Sequence, residues 1–211
     1  MLKVDKTPEP TFFTEFNALR NSGDTSNNWQ ELGPPYKEPL YEHLLKKEQK
    51  EYCPYCERKI YYDEMANIKS YRIEHIYPRN PYSDKTFEYE NLIVCCNGEG
   101  EKSTCDVAKG NKFDEVLFIN PVKENPTDHL YHSLSDGKIE PLYENCEKSI
   151  YTIKLLNLND DLLVRARIDF VDVVLEKSYE LESFDVLKEY SETENFPTLC
   201  QQLLENHELI N

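Results

Sequence analysis

The sequence predicts an α+β protein, mainly helical, in which a small strand-and-helix core is packed with helices from both ends of the chain. Three observations predict it. Short apolar runs bounded by turn residues occupy the middle of the chain, helical apolar spacing fills the last third, and four cysteines flank the strand-like runs. A chain of 211 residues has room for one moderate domain or for a small catalytic module with helical additions.

The core elements follow from periodicity and turn chemistry. Residues 70–76 and 91–95 favour short strands, and residues 104–111 favour a short helix. Between the strands, segment 77–81 contains Pro78 and Pro81, which exclude a continuous helix or a central strand there. We therefore expect two strands that are joined by a long, turn-rich loop and followed by a helix.

The regions on either side of this core are predicted as helices separated by loops. Residues 21–28 indicate a loop, and the apolar spacing from Leu40 to Leu44 predicts a helix that leads into Cys53. After a connecting region at 121–141, the cluster Asn159-Asp160-Asp161 is typical of a helix N-terminus. A last helix is expected to begin within residues 193–197. We divide the chain at 1–45, 46–120 and 121–211.

Charge is distributed unevenly along the chain. The formal net charge is -16, yet residues 46–112 balance 12 Lys+Arg against 12 Asp+Glu. Residues 113–211 hold 8 Lys+Arg against 21 Asp+Glu, a balance of -13. Phosphate binding rewards positive charge, so the isolated chain is expected to bind DNA poorly without a sequence preference. The acidic last third is either a well-solvated surface or a region that docks on a basic partner protein.

The chain is expected to work in a reducing, cytoplasmic compartment. It has no apolar run long enough to span a membrane, and its first residues lack the apolar segment of a secretory signal. In that compartment clustered cysteines are more often metal ligands than disulfides.

Four cysteines have the spacing of a zinc site. Cys53 and Cys56 form a Cys-x2-Cys turn, and after 39 further residues Cys96 and Cys105 supply a second pair. Four thiolates suit Zn²⁺, and a site closed by four protein ligands is structural because no position stays open for a substrate. The alternative is four buried free cysteines. We expect Cys95 to point away from Cys96, since neighbouring strand residues face opposite sides.

The remaining two cysteines, Cys146 and Cys200, are expected to be plain core residues. A redox function for Cys53-Pro54-Tyr55-Cys56 is the weaker interpretation of that pair, because the flanking sequence lacks the strand and helix of a thioredoxin-like site.

A second set of residues lies between and after the cysteine pairs. Glu74-His75-Ile76-Tyr77-Pro78 precedes Asn91-Leu92, and Asp106 to Lys109 follow the last cysteine. In this order the segment from Cys53 to Lys112 resembles the motif of HNH endonucleases. That resemblance implies a ββα-metal fold, a metal-dependent hydrolysis of phosphodiester bonds, and a closed zinc site beside the catalytic one.

The resemblance also implies roles for single residues. His75 matches the general base that activates water, and Asn91 matches the residue that holds the catalytic loop. Glu74 and Asp106 match the ligands of a catalytic metal ion, although position 106 usually carries His or Asn. Two carboxylates favour Mg²⁺ or Mn²⁺ at this position. Asn97 and Asn111 remain alternative ligands. Positively charged residues that could touch phosphate are Arg72, Arg79, Lys109 and Lys112.

Outside the motif, the chain is similar to the PtuB-type HNH proteins of bacterial Septu antiphage systems and of some retron-linked systems. Segments 44–49, 52–57, 87–92, 109–111, 118–121 and 155–159, with Arg165, carry this resemblance. It implies a partner, an ABC/SMC-like ATPase of the PtuA kind, for which the acidic last third is a candidate docking surface. The sequence has no phosphate-binding P-loop of its own.

The main alternative to a nuclease is a catalytically silent, zinc-stabilised module that binds nucleic acid or protein. A nucleic-acid-binding module is expected to be basic, and it has no need of Glu74, His75 and Asn91 together. The enzyme interpretation is therefore preferred. DNA and RNA, including a structured RNA such as tRNA, both remain open as substrates.

Overall fold

Helices surround three short hairpins. A computed structural model describes residues 1–21, 27–63, 68–98, 103–180, 190 and 194–208. The described helices are α1 (Thr11–Asn21), α2 (Pro34–Glu42), α3 (Cys105–Lys109), α4 (Glu147–Leu155), α5 (Asp161–Glu180) and α6 (Pro197–Glu208). The antiparallel hairpins are β1 (Tyr62–Asp63) with β2 (Ile68–Lys69), β3 (Tyr71–His75) with β4 (Leu92–Cys96), and β5 (Leu130–His132) with β6 (Ile139–Pro141). The predicted fold class, α+β and mainly helical, is confirmed.

The hairpin of β3 and β4 is the predicted pair of strands. Its register places Tyr71 opposite Cys96 and His75 opposite Leu92. All five residues of β4 are buried, so both faces of this strand are covered by protein. α3 follows as predicted and ends at Lys109, and the next residue, Gly110, has a φ of 52°, a backbone conformation that favours glycine.

One main hydrophobic core draws on the whole chain. From the first 45 residues it takes Phe13 and Phe16 of α1 and Leu40 of α2, and from the last third it takes Leu156 and Leu163. The strands β3 and β4 lie within the same cluster. Burial of this apolar surface is the dominant stabilising contribution. Residues from all three segments, 1–45, 46–120 and 121–211, thus contribute to this cluster, and the division of the chain stays a prediction.

Three local features differ from the sequence-based expectation. α1 was not predicted, because its apolar residues fill only part of one face. The helix expected to run into Cys53 ends at Glu42 and continues as a π-helical turn over His43–Glu48. The connecting region at 121–141 contains the β5–β6 hairpin. Of the loop expected at 21–28, residues 22–26 lie outside the described part, as does Thr193.

A smaller cluster joins α5 and α6 through Val174, Phe196, Leu199 and Leu203. Polar contacts attach α6 to the turn after Cys56. The backbone N–H of Thr198 donates to Glu57 Oε2 at 2.9 Å, and the N–H of Phe196 donates to the Glu57 carbonyl at 3.0 Å. No helix in the described ranges is long and apolar enough to cross a bilayer.

Candidate active site

The four predicted zinc ligands come together in the structure. The ligand atoms of Cys53, Cys56, Cys96 and Cys105 all lie within 4.8 Å of one another, and all four residues are buried. The Sγ–Sγ distances are 3.7 Å between Cys56 and Cys96 and 3.6 Å between Cys96 and Cys105. A Zn–S bond of about 2.3 Å in a tetrahedron requires sulfurs about 3.8 Å apart. The cluster therefore has the size and chemistry of a zinc site.

The four sulfurs come from three elements that are distant in sequence. Cys53 and Cys56 belong to the turn after the π-helical segment, Cys96 ends β4, and Cys105 begins α3. Cys95 is buried but donates its thiol to the Cys96 carbonyl, outside the sulfur cluster. A guanidinium nitrogen of Arg58 lies 3.9 Å from Cys96 Sγ. A positive charge there partly offsets the negative charge of thiolate ligands.

Of the two remaining cysteines, Cys200 is buried as expected and Cys146 is not. Cys146 precedes α4 and is only partly covered. Hydrogen bonding to Ser149 lowers the pKa of this thiol. The expectation that Cys146 is a core residue was wrong, because the residue occupies the helix N-cap and not the inward face.

His75 is buried at the end of β3, and among the residues that the structure describes only its Nε2 has a hydrogen-bond partner. Its Nε2 lies 3.0 Å from the carbonyl oxygen of Thr86. A carbonyl can only accept, so the proton is on Nε2 and Nδ1 carries a free lone pair. Burial, aided by the charge of Arg79, lowers the pKa of His75 to about 3. The imidazole is therefore neutral throughout the physiological pH range.

Asn91 holds the loop between the strands. Its Oδ1 accepts from the Tyr77 N–H at 2.7 Å, and its Nδ2 donates to the Lys85 carbonyl at 2.9 Å and the Tyr77 carbonyl at 3.2 Å. The backbone carbonyl of Asn91 also accepts from Ile76 N–H. One buried amide thus joins the start and the end of the loop that carries Thr86, the partner of His75.

Glu74 and Asp106 form a pair of neighbouring carboxyl groups. Burial raises the pKa of Glu74 to about 8. Lys109 opposes this effect, and Asp106 adds to it through its charge and a hydrogen bond. Glu74 Oε1 contacts Lys109 Nζ at 2.7 Å and accepts from Tyr55 Oη at 3.2 Å. Both of these contacts use Oε1.

The structure distinguishes among the predicted ligands and phosphate contacts. Asp106 faces Glu74, whereas Asn97 faces Arg72, and Asn111 is exposed beyond α3. Arg72 lies near Asp106, with 3.8 Å between Nη1 and Oδ2. Arg79 and Lys112 are exposed.

Lys109 requires a correction. Its side chain is 1% exposed, and its ammonium contacts Glu74 Oε1 and donates to the His75 carbonyl at 2.9 Å. A lysine in this position holds the site together and cannot reach a phosphate at the surface. The predicted phosphate contact is replaced by this structural role.

Sequence reasoning missed two residues that touch His75. Thr86 fixes its tautomer through a backbone carbonyl, which no side-chain pattern can reveal. The indole of Trp29 packs edge-on against the imidazole, with ring centroids 4.5 Å apart. Trp29 lies before α2, far from the motif in sequence. That it is the single tryptophan of the chain was the one weak sign of a role at the site.

Comparisons with known proteins agree with this site. A model of the HNH endonuclease family matches residues 53–103. The chain is 30% identical over 166 residues to the "Retron Vc95 putative HNH endonuclease" of Vibrio cholerae serotype O1 biovar El Tor, covering 74% of this chain and 76% of that protein. It is 24% identical over 225 residues to the Septu protein PtuB of Bacillus mycoides, covering 89% of this chain and 73% of the relative. The chain therefore belongs to the HNH endonuclease family.

Proposed function

We propose that this protein hydrolyses phosphodiester bonds of nucleic acid in a metal-dependent reaction in which His75 is the general base. One observation carries the proposal. A buried, neutral imidazole with a free Nδ1 lies next in sequence to Glu74, whose carboxyl group meets that of Asp106. A neutral base beside a pair of hard oxygen ligands is the combination that hydrolysis of a phosphodiester requires.

The protein positions the base through two hydrogen bonds in series. Nε2–H of His75 donates to the Thr86 carbonyl, and Asn91 fixes the loop on which Thr86 lies. The imidazole is then held with Nδ1 available to accept a proton from the attacking water. The low pKa of His75 ensures that Nδ1 is unprotonated before the reaction begins.

The carboxyl pair fits a hard divalent cation. Glu74 is buried and Asp106 is partly buried, and burial of Glu74, together with the charge of the neighbouring Asp106 carboxylate, raises the pKa of Glu74. Oxygen ligands of this kind suit Mg²⁺ or Mn²⁺ better than zinc. Such an ion, when bound, stabilises charge on the scissile phosphate and the leaving oxygen. Arg72 stays near Asp106 and limits the negative charge of the pair.

We also propose a role in antiphage defence, together with an ATPase partner. The support is the similarity to Septu PtuB and to the retron relative. The outer face of α5 offers a docking surface for that partner. Asp169, Asp172 and Glu176 are exposed there beside the exposed side chains of Leu162 and Val173. An acidic face interrupted by apolar residues fits a basic, partly apolar surface on another protein.

The experiment that tests the nuclease is cleavage of plasmid DNA and of total RNA with Mg²⁺ or Mn²⁺, by the chain alone and with its ATPase. The wild type is expected to cleave and His75→Ala is not, because the substitution removes the imidazole that accepts the proton from water. The zinc content and melting temperature of each sample must match. Cleavage that survives in folded, zinc-loaded His75→Ala protein contradicts the proposal. Absence of cleavage by the wild type under every condition favours the silent binding module.

A further inference from the structure

We propose that a cavity between α3 and α4 binds an unpaired nucleobase of the strand that is cut, so that the preferred substrate is single-stranded or locally unpaired nucleic acid. This inference rests on the proposed function and specifies its substrate class. The cavity, here called the α3–α4 pocket, has a volume of about 350 Å³ and is lined by Ala108, Lys112, Tyr151, Lys154 and Leu155.

The walls of the pocket suit a flat, aromatic ligand. Ala108, Leu155 and the ring of Tyr151 provide apolar surface, and only two charged groups lie at the lining. Pockets for small organic groups begin at about 300 Å³ and are mostly apolar with a few placed polar groups. Tyr151 is half-buried against the main core and lines the pocket, and a tyrosine ring stacks on any base because every base has a π-face. The pocket therefore fits a base without selecting its identity.

The two charged groups at the pocket are lysines with no acidic partner in the described part of the chain. Lys112 and Lys154 make no ion pair there, whereas Lys148 on the same helix contacts Glu124 at 2.6 Å. The charge of Asp114 acts on Tyr151, and the Asp114 carboxylate already accepts the N–H groups of Val116 and Leu117. In a chain of net charge -16, two uncompensated cations beside an apolar pocket indicate an anionic ligand.

The pocket lies on the side of α3 opposite to the catalytic residues. Asp106 and Ala108 are two positions apart, which on a helix is about 200°. Asp106 faces Glu74, and Ala108 faces α4. A strand can pass between the two sides around Gly110, where an added Cβ would meet no atom within 4 Å. A phosphate near Glu74 and a base in the pocket can thus belong to the same strand.

A paired base cannot enter this pocket. In a duplex each base is stacked and faces its partner, so a base must be unpaired or extruded to reach a side pocket, and extrusion of a paired base costs free energy. Single strands, loops and bulges avoid that cost. DNA and RNA share the chemistry that the pocket recognises, and the experiment below compares them directly.

Photo-crosslinking locates the base. Twelve-nucleotide single strands of DNA and of RNA, each carrying one 5-iodouracil, are irradiated with the full-length His75→Ala protein at low salt, and the crosslinked peptides are identified by mass spectrometry. The crosslink is expected on Tyr151 with the single strand and not with the matching duplex. Crosslinks confined to other residues, or equal crosslinking of the duplex, overturn the proposal.

Binding of the same strands, followed by fluorescence anisotropy, tests the contacts separately. Tyr151→Leu is expected to weaken binding about ten-fold, and Tyr151→Phe is expected to retain it, because the stacking face survives. The logarithm of the binding constant falls linearly with the logarithm of the salt concentration. Lys112→Gln and Lys154→Gln should each make this negative slope shallower by about 0.7. Lys148→Gln is the matched control, since its ammonium is already paired. If Lys148→Gln changes the salt dependence of binding as much as Lys154→Gln does, the lysines at the pocket have no special role.

These readouts are independent of cleavage. If the wild type does not hydrolyse any substrate but crosslinks through Tyr151, the pocket is supported and the nuclease proposal fails. If hydrolysis depends on His75 while Tyr151 neither crosslinks nor affects binding, the nuclease proposal stands and the pocket is overturned.

Discussion

At the scale of single residues, Glu74 shows how the site is prepared for a cation. Its carboxyl group is buried against Asp106, and Lys109 only partly compensates for both effects, so its pKa is raised to about 8. A group whose pKa is raised on folding contributes stability at low pH and loses that contribution as pH rises through the folded-state value. A divalent cation held by Glu74 and Asp106, as proposed, would replace the proton and remove this cost.

We therefore predict that cleavage at limiting Mg²⁺ or Mn²⁺ rises with pH through the region of about 8, where Glu74 ionises. The proton competes with the ion, so raising the ion concentration should move the midpoint to lower pH. His75, with a pKa of about 3, is neutral throughout and adds no acidic limb of its own. The measurement is a pH–rate profile at several ion concentrations. A midpoint fixed near pH 6.5 at all of them would show instead that a solvated histidine controls the rate.

The role of Asn91 in holding the loop can be tested by a single substitution. Asn91→Asp keeps the acceptor for the Tyr77 N–H but replaces the donor to two carbonyls with a negative charge. We predict a loss of about 1–3 kcal/mol in the free energy of unfolding. Cleavage should fall by about 100-fold or more, because the loop that orients His75 is displaced.

The check for Asn91 is urea unfolding together with single-turnover cleavage. His75→Ala should lose the same activity while keeping most of the stability. If Asn91→Asp retains both stability and activity, Asn91 does not hold the loop.

At the scale of elements, the sulfur cluster joins the Cys53 turn, β4 and α3. Because Glu74, His75 and Asp106 lie on the β3–β4 hairpin and α3, a metal ion at the cluster fixes the distance between the hairpin and the helix. An ion at the cysteine cluster would thus set the geometry of the proposed catalytic site.

We predict that Cys96→Ser abolishes stoichiometric zinc binding and lowers the melting temperature, while Cys95→Ser retains one zinc ion per chain. The two residues are adjacent in β4 and both are buried, but only Cys96 belongs to the cluster. Elemental analysis of the purified proteins and thermal melts with and without a chelator test this. Equal zinc loss in both variants would contradict the assignment of the ligands.

The elements also show which parts of the structure a single sequence can predict. β3, β4, α3 and the cysteine cluster were predictable because turn residues and short-range spacing mark them. Trp29 and Thr86 were not, because their contacts with His75 depend on how distant segments pack. The β5–β6 hairpin was missed because three-residue strands are too short to show a period.

At the scale of the whole molecule, the main core and the uneven charge distribution determine which variants can test the binding of a partner. Leu156 and Leu163 belong to the main core, so deleting the chain after residue 141 would destabilise the nuclease and remove any docking surface at the same time. Surface variants separate the two effects, since exposed charges contribute little to folding.

We predict that reversing the charge of Asp169, Asp172 and Glu176 weakens association with the ATPase partner and leaves the melting temperature within a few degrees of the wild type. All three side chains are exposed on α5. Reversal of three exposed acidic residues elsewhere, Glu9, Glu15 and Asp128, is the control. Association that survives the α5 change but is lost in the control would place the docking surface elsewhere.

The contact between Trp29 and His75 has an optical consequence. Because the chain has a single tryptophan, its tryptophan fluorescence comes from Trp29 alone. The indole and imidazole ring centroids lie 4.5 Å apart, so this fluorescence reports on the surroundings of His75. A nucleic-acid strand or a divalent cation that changes the surroundings of His75 should change the intensity or wavelength of that emission without any attached dye. Stopped-flow fluorescence of the unlabelled protein can then time the arrival of substrate, separately from the later appearance of cut product.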